Sequence, residues 1–230
     1  MKVSGVIKGF KEDPKKYIFT IVLGIIVIIL GIASYRMGKN RNGVDYKSVL
    51  EETAVTVNGN KLSFKDVAFY VAYEESEVEE QAKVYDSSDT NKYWNLHIDG
   101  EFIRVAARNA AIQMAIHDEI FYEMACKEGI ELTDDEKETL RLSQEDFWSD
   151  LKDYDKQERL GVDKDDIYSQ MEKIAMSEKY QEIYAGLSNL SRDDFSFTSD
   201  EYKKLLEENK YSINEDTWSH IEFGSITLDH

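Results

Sequence analysis

The stretch EFIRVAARNAAIQMAIHDEIFYEMACKE at residues 101–128 carries the clearest periodic pattern in the chain. Apolar residues recur there every three or four positions, which is the spacing of one face of an α-helix. Gly129 follows directly, where a helix C-terminus favours glycine. The pattern predicts a helix at 101–128, and we expect its stripe between Phe102 and Met124 to be core rather than groove. The members of the stripe are Ile103, Ala106, Ala110, Met114, His117, Phe121 and Met124.

Patterns typical of helix N-termini predict further helices on the C-terminal side of this stretch. T-x-x-E sequences at residues 133–136 and 198–201 each place a hydroxyl and a carboxylate where they can bond free backbone N–H groups, as in a capping box. The acidic run DKDD at residues 163–166 has the same spacing and follows Gly161, a residue suited to ending a helix. We therefore expect three more helices, one beginning at each pattern.

On the N-terminal side, the stretch VTVNGNKLSFKDV at residues 55–67 predicts a β-hairpin that runs directly into a helix. Its centre is Asn58-Gly59, a dipeptide that readily adopts the positive φ angles of a tight hairpin turn. Ser63 and Asp66 approximate another capping box, so a helix is expected at about residues 64–80.

Two remaining segments have different patterns. DSSDTNK at residues 86–92 is rich in turn-forming residues and predicts a loop. TWSHIEFGSITL at residues 217–228 contains spaced aromatic and β-branched residues and predicts a strand. The body of the protein is thus expected to be mainly α, with a small β-hairpin near its start.

The composition excludes several classes of function. The chain has 230 residues, with 28 Lys and Arg against 46 Asp and Glu, and a formal net charge of −18. This acidic balance argues against nucleic-acid binding, which needs clustered basic residues. A single cysteine excludes an internal disulfide framework and a metal site built from several thiolates of this chain.

The charge is divided between a basic N-terminus and an acidic remainder. Residues 1–43 have a net charge of +6 and the rest of the chain −24. Within the basic part lie 19 uncharged residues, YIFTIVLGIIVIILGIASY at 17–35. As a helix this run would span roughly 28 Å, close to the thickness of a bilayer core. It predicts a transmembrane helix at 17–35, with residues 1–16 as a cytoplasmic tail and 36–53 as a linker.

The orientation follows the positive charges, which are more numerous before the apolar run than after it. This places the acidic body outside the cell, in a single-pass membrane protein. The competing interpretation is a cleaved signal peptide, for which Gly31 and Ala33 would be suitably small. The apolar run is longer than the roughly 7–15 residues of a signal-peptide core, so a retained anchor is preferred.

The sequence predicts no catalytic, cofactor-binding or metal-binding residue, and no cofactor. No phosphate-binding loop, nucleophile elbow or zinc-binding histidine pair is present. His117 lies on an apolar stripe beside Asp118, and we expect a partly buried, hydrogen-bonded structural histidine. Cys126 has no activating motif around it and is expected to be a small packed side chain.

The order of four segments resembles the N-terminal chaperone region of the SurA/PrsA-like extracytoplasmic foldases. The resemblance covers roughly residues 54–213, and its segments are VTVNGNKLSFKDV (55–67), IHDEIFYEMACKEGIELTDDE (116–136), LGVDKDDIYSQMEKIAMSEKYQEIY (160–184) and FTSDEYKKLLEENKYSI (197–213). The resemblance implies a helical peptide-binding domain at 54–213, similar to the N-terminal domain of SurA, following the transmembrane helix.

Members of that family also carry a parvulin-type peptidyl-prolyl isomerase domain. TWSHIEF at residues 217–223 resembles the opening strand of such a domain, in which His220 and Ile221 would form the usual pair. The resemblance therefore predicts that residues 214–230 are the start of a truncated parvulin domain. The remaining active-site positions are missing from this chain.

The resulting expectation is a membrane-anchored extracytoplasmic chaperone or foldase-like protein that binds unfolded secreted polypeptides. Its acidic surface would keep complexes soluble and favour basic clients. Two alternatives remain open. One is a peptidyl-prolyl cis-trans isomerase whose catalytic domain lies beyond this chain. The other is a non-catalytic scaffold that docks one folded partner in the cell envelope. The oligomeric state is left open.

Overall fold

A β-hairpin occupies the position that the Asn58-Gly59 turn predicts. The computed structural model describes residues 43–229. Strands β1 (Thr53–Val57) and β2 (Asn60–Ser63) pair antiparallel, and both residues of the turn have positive φ angles, 50° and 100°. The glycine is required here because the second value lies in a region that other residues rarely adopt.

The rest of the described chain is mainly helical. Its α-helices are α1 (Ala68–Asp86), α2 (Asn91–Trp94), α3 (Ile103–Lys127), α4 (Asp134–Asp153), α5 (Lys156–Leu160), α6 (Lys164–Leu187), α7 (Asp200–Glu207) and α8 (Glu215–Trp218). Short 3₁₀ helices lie at Tyr46–Val49 and Arg192–Phe195. The first of these falls within the predicted linker, yet its Tyr46 and Val49 side chains are buried in the core.

Helix α3 is the central element and packs against α1 and, most extensively, against α6. It begins two residues later than predicted. The reason is that Glu101–Phe102 forms strand β4, which pairs with β3 (His97–Ile98) in a small separate ribbon. The predicted end of the helix is confirmed within one residue, and Gly129 follows it with φ +67°.

The predicted apolar stripe of α3 is only partly core. His117 and Phe121 are buried, whereas the other members are half-buried: Ile103, Ala106, Ala110, Met114 and Met124. The most deeply buried positions include small residues beside that stripe, namely Ala107, Ala111 and Ala115. Since α3 is enclosed by both α1 and α6, its alanines lie where helix backbones approach closely.

The helix-start patterns are largely confirmed. Thr133 and Asp163 are N-caps of α4 and α6, and each takes part in a reciprocal capping box. Ser63 and Asp66 also bond each other's backbone N–H groups, but turns follow and α1 begins only at Ala68. The cap of α7 is Ser199 instead of the predicted Thr198.

The C-terminal segment is not the strand that its composition predicts. Residues 215–218 form α8, and turns follow it. The spaced aromatic and β-branched residues Trp218, Ile221 and Phe223 are nevertheless buried, because each enters the core individually. The extra strand comes from elsewhere: β5 (Tyr211–Ile213) pairs with β1 and completes a sheet of order β2-β1-β5.

The predicted fold class requires correction with respect to the membrane. Within residues 43–229, no helix is both long enough and apolar enough to cross a bilayer. The predicted transmembrane helix at 17–35, with the tail at 1–16, lies outside the described residues. The fold shown is therefore a mainly helical domain with a small β-sheet, and it does not include the membrane helix that we expected.

Candidate functional site

Two adjoining cavities form a groove along α6. The first, of about 420 Å³, lies between α1, α3, α6 and the second 3₁₀ helix. The second, of about 430 Å³, lies between α4 and α6. Both cavities are lined by Phe69, Ile174, Glu178 and Arg192, which therefore mark the junction of the two. We call the two cavities together the groove.

The floor of the groove is apolar, because α1 and α6 each place apolar side chains three or four positions apart along it. Phe69 and Tyr73 are four residues apart on α1, and their rings stack at 6.0 Å between centroids. Phe69 also contacts the ring of Phe147 at 4.7 Å. Met171 and Ile174 line the groove from one face of α6. Flexible and aromatic side chains of this kind suit an adaptable apolar binding surface.

A hydrogen-bonded polar cluster forms one wall of the first cavity. The two ring nitrogens of His117 lie 2.7 Å from Asp118 Oδ1 and 2.9 Å from the Phe195 carbonyl oxygen. The Tyr70 hydroxyl donates to Asp118 Oδ2 at 3.0 Å and accepts from Gln170. Burial raises the pKa of the Tyr70 hydroxyl, and the neighbouring Asp118 carboxylate raises it further.

This arrangement confirms that His117 is a buried, hydrogen-bonded histidine. Its partners are the Asp118 carboxylate and the Phe195 carbonyl oxygen, which both accept hydrogen bonds. Because each ring nitrogen already has a partner, the imidazole is held in place. The cluster therefore shapes the wall of the groove and holds α1, α3 and α6 together.

The rim of the groove is acidic, and both of its cations are paired. Arg192 Nη2 lies 2.6 Å from Glu178 Oε1, and Lys179 Nζ lies 2.6 Å from Glu136 Oε2. The Glu136 carboxylate also caps α4, and these contacts lower its pKa, the bond from Lys179 most strongly. The groove thus combines an apolar floor with an excess of negative charge.

A buried carboxylate that the sequence did not single out holds the C-terminal segment. Glu75 on α1 is fully buried, and it accepts hydrogen bonds from the backbone N–H groups of Gly224, Ile226 and Thr227 and from the Thr227 hydroxyl. Burial raises the pKa of Glu75, while these hydrogen bonds act in the opposite direction. The hydrogen-bonded residues are about 150 positions apart in the sequence, so no local pattern could have predicted this role of Glu75.

Cys126 is exposed, so the prediction of a packed side chain is wrong. It lies near the end of α3, where a hydrogen bond with Cys126 raises the pKa of the Tyr122 hydroxyl to about 12. The residue lies in the last turn of the helix and lines a surface pocket together with Asn58, Asn60 and Tyr122. Cys126 follows Met124 by two positions, and the apolar periodicity of the helix does not distinguish an exposed cysteine there from a buried one.

His220 does not lie on a strand, contrary to the family resemblance. It follows α8 in a turn, and its Nδ1 lies 3.0 Å from the Asp216 carbonyl oxygen. Its neighbour Ile221 is buried in the core of the described domain. Among residues 43–229, no group of three or more His, Cys, Asp or Glu side chains is arranged to hold a metal ion.

No protein-family model, curated protein or solved structure matches the chain. The resemblance to the extracytoplasmic foldases therefore stays a prediction. The candidate site is therefore defined by its geometry alone, as the groove and its acidic rim.

Proposed function

We propose that this protein binds non-native segments of polypeptide in the groove and thereby suppresses their aggregation, as a chaperone does. The observation that carries the proposal is the pair of adjoining cavities with a shared apolar junction at Phe69 and Ile174. Volumes of about 420 and 430 Å³ are sufficient for large apolar side chains. Two such positions in line suit an extended segment that presents apolar residues at intervals.

The proposed activity needs binding alone, without turnover. A protein that binds unfolded chains reversibly lowers the concentration of the species that aggregates. The polar groups of the groove wall fit this role, because Tyr70, His117 and Asp118 already bond one another. Their contribution is to keep a rigid wall beside the apolar floor.

The proposal predicts that a polar side chain at the junction weakens binding. Ile174→Gln should lower the affinity for a denatured model protein at least about fivefold, since losing about 1 kcal/mol of apolar burial has that effect. The measurement is light scattering during dilution of the denatured protein from guanidinium, at increasing concentrations of the 230-residue chain.

Val84→Gln is the matched control, because Val84 is 89% exposed on α1 and lies outside the groove. It should suppress aggregation as the wild type does. Met114 lines the first cavity but not the second, so Met114→Gln provides a second test should Ile174→Gln unfold, and circular dichroism checks the fold of both variants. Equal suppression by folded groove variants and wild type would contradict the proposal.

The extracytoplasmic location and the isomerase alternative stay predictions. Protease added to intact cells should digest residues 43–229 if the domain lies outside. A prolyl-peptide isomerisation assay of this chain should show no activity, whereas the product of a longer reading frame would show it if a parvulin domain follows.

A further inference from the structure

Acidic side chains outnumber basic side chains around the groove. The lining acids are Asp118, Asp135, Glu136, Glu178, Glu182 and Asp193. The lining Lys and Arg side chains are Lys179 and Arg192, and each is already paired with one of those acids. Within residues 43–229, the exposed carboxylates of Asp135, Glu182 and Asp193 make no hydrogen bond or ion pair. Three acceptors for positive charge therefore surround an apolar floor.

The ion pair between Arg192 and Glu178 occupies the junction of the two cavities. Both residues line both cavities, together with Phe69 and Ile174. The two side chains are 47% and 48% exposed, so the pair is of the half-exposed kind that contributes little to stability. The backbone of Arg192 is held separately, because Gln181 Nε2 donates to its carbonyl oxygen at 3.1 Å. The guanidinium can therefore leave Glu178 without moving the 3₁₀ helix.

We propose that the groove selects polypeptide segments in which Arg or Lys adjoins a large apolar residue, and that Arg192 occupies the position of the client's cation until such a segment binds. This inference rests on the function proposed above. The apolar residue of the client contacts Phe69 and Ile174. Its cation replaces Arg192 at Glu178, close to the free carboxylates of the rim. Displacement joins the two cavities into one continuous site.

The charge complementarity identifies the occupant. A neutral apolar segment would leave the rim carboxylates in contact with solvent alone, and an acidic segment would be repelled by them. A basic segment exchanges the Arg192–Glu178 ion pair for its own and adds a pair with a free rim carboxylate, while its apolar side chain is buried. Each half-exposed pair contributes up to about fivefold in affinity, so selection is expected to be moderate and to depend on salt.

The test measures the binding of three fluorescein-labelled peptides to the full 230-residue chain by fluorescence anisotropy. The peptides share one Leu-Phe core, which is flanked by Arg, by Gln or by Glu. The wild type should bind the Arg-flanked peptide about threefold more tightly than the Gln-flanked one, and the Glu-flanked one least. The difference should disappear at about 1 M salt, where charges are screened within about 3 Å.

Arg192→Ala gives the sharpest outcome, because it removes the internal competitor. It should tighten binding of the Arg-flanked peptide about threefold and leave the Gln-flanked peptide nearly unchanged. Adding Glu178→Gln should cancel that gain. Arg141→Ala is the matched control. Like Arg192, Arg141 forms ion pairs with glutamate, in this case with Glu138 and Glu145, but it lies outside the groove.

The results separate this inference from the function on which it rests. Equal affinity for all three peptides, or no gain from Arg192→Ala, would overturn the selectivity while leaving peptide binding intact. If none of the peptides binds and the chain does not suppress the aggregation of denatured protein, the proposed function itself is wrong. Every variant keeps residues 1–43, so the apolar run in that part of the chain contributes equally to all measurements.

Discussion

At the scale of single residues, Glu75 shows how one buried charge determines the position of a distant segment. Its carboxylate accepts four hydrogen bonds from residues 224–227. Gly224 is needed at the same place, since its φ is +89° and a Cβ there would lie 2.7 Å from Trp94 Cδ2. A buried carboxylate is tolerated only when it is bonded in this way, so the segment and the charge depend on each other.

Replacing Glu75 by Gln should destabilise the domain by about 2–3 kcal/mol. The side chain keeps its size, but an amide offers one acceptor oxygen and directs its own N–H groups at N–H donors. Urea unfolding followed by circular dichroism measures the change. Glu172→Gln, at an exposed position of α6, is the control and should stay within about 0.5 kcal/mol of wild type. Equal midpoints for the two variants would show that the four bonds contribute nothing.

Glu74, the preceding residue, makes stability depend on pH. Burial, and then the nearby charge of Glu77, raise the pKa of Glu74 from its ordinary value of 4.5 to about 7. The folded state therefore holds this proton more firmly than the unfolded state, so stability falls as the pH rises from about 4.5 to about 7.

Glu74→Gln should remove this dependence. At pH 8 the variant should be more stable than wild type by about 1–2 kcal/mol, a value reduced for the partial exposure of the side chain. At pH 4, where the wild-type carboxyl is protonated in both states, the two proteins should have similar stability. Urea unfolding at both pH values measures the difference, and a constant difference across that range would exclude titration of Glu74 as its cause.

At the scale of elements, α6 connects local sequence to the groove. Its N-terminus is held by the capping box of Asp163 and Asp166, with both hydrogen bonds at 3.0 Å. Met171, Ile174 and Glu178 follow at helical spacing and line the groove. The same helix packs against α3, and Ser177 Oγ donates to Asp118 Oδ1 at 3.3 Å. Its position is therefore set partly by its own residues and partly by its neighbours.

Asp163→Ala should lower the stability of the domain by about 1 kcal/mol, because the N-cap acceptor is lost. Asp163→Asn should restore most of it, since asparagine caps helices nearly as well. Urea unfolding gives both values. Peptide affinity should be unchanged in both variants, because the groove residues begin two turns into the helix. If Asn and Ala behave alike, the side-chain cap is not what stabilises this end of α6.

At the scale of the whole molecule, the proposed binding depends on the excess of negative charge as well as on the groove. The acids outside residues 1–43 give the remainder of the chain a net charge of −24, and several of them surround the apolar floor. Such a charge keeps a protein with an exposed apolar groove soluble, and it attracts basic segments over distances of about a Debye length. The selectivity proposed for the groove arises from the part of this negative charge that lies at its rim.

The local features of this protein follow from its amino-acid sequence alone. The hairpin turn at Asn58-Gly59, the caps at Thr133 and Asp163, and the end of α3 before Gly129 all depend on residues within a few positions of one another. The buried state of His117 was also predicted, because its apolar stripe indicated it. Such features are predictable since their hydrogen bonds and φ angles are satisfied within a single turn.

The features that join distant residues depend on how the helices and strands pack in three dimensions. The pairing of β5 with β1, the burial of Glu75, the exposure of Cys126 and the division of the α3 stripe between core and groove all have no local signal. The groove exists because five elements, α1, α3, α4, α6 and the second 3₁₀ helix, leave space between them around Ile174. Long-range burial and hydrogen bonding selected among arrangements that the periodicity of each helix allowed equally.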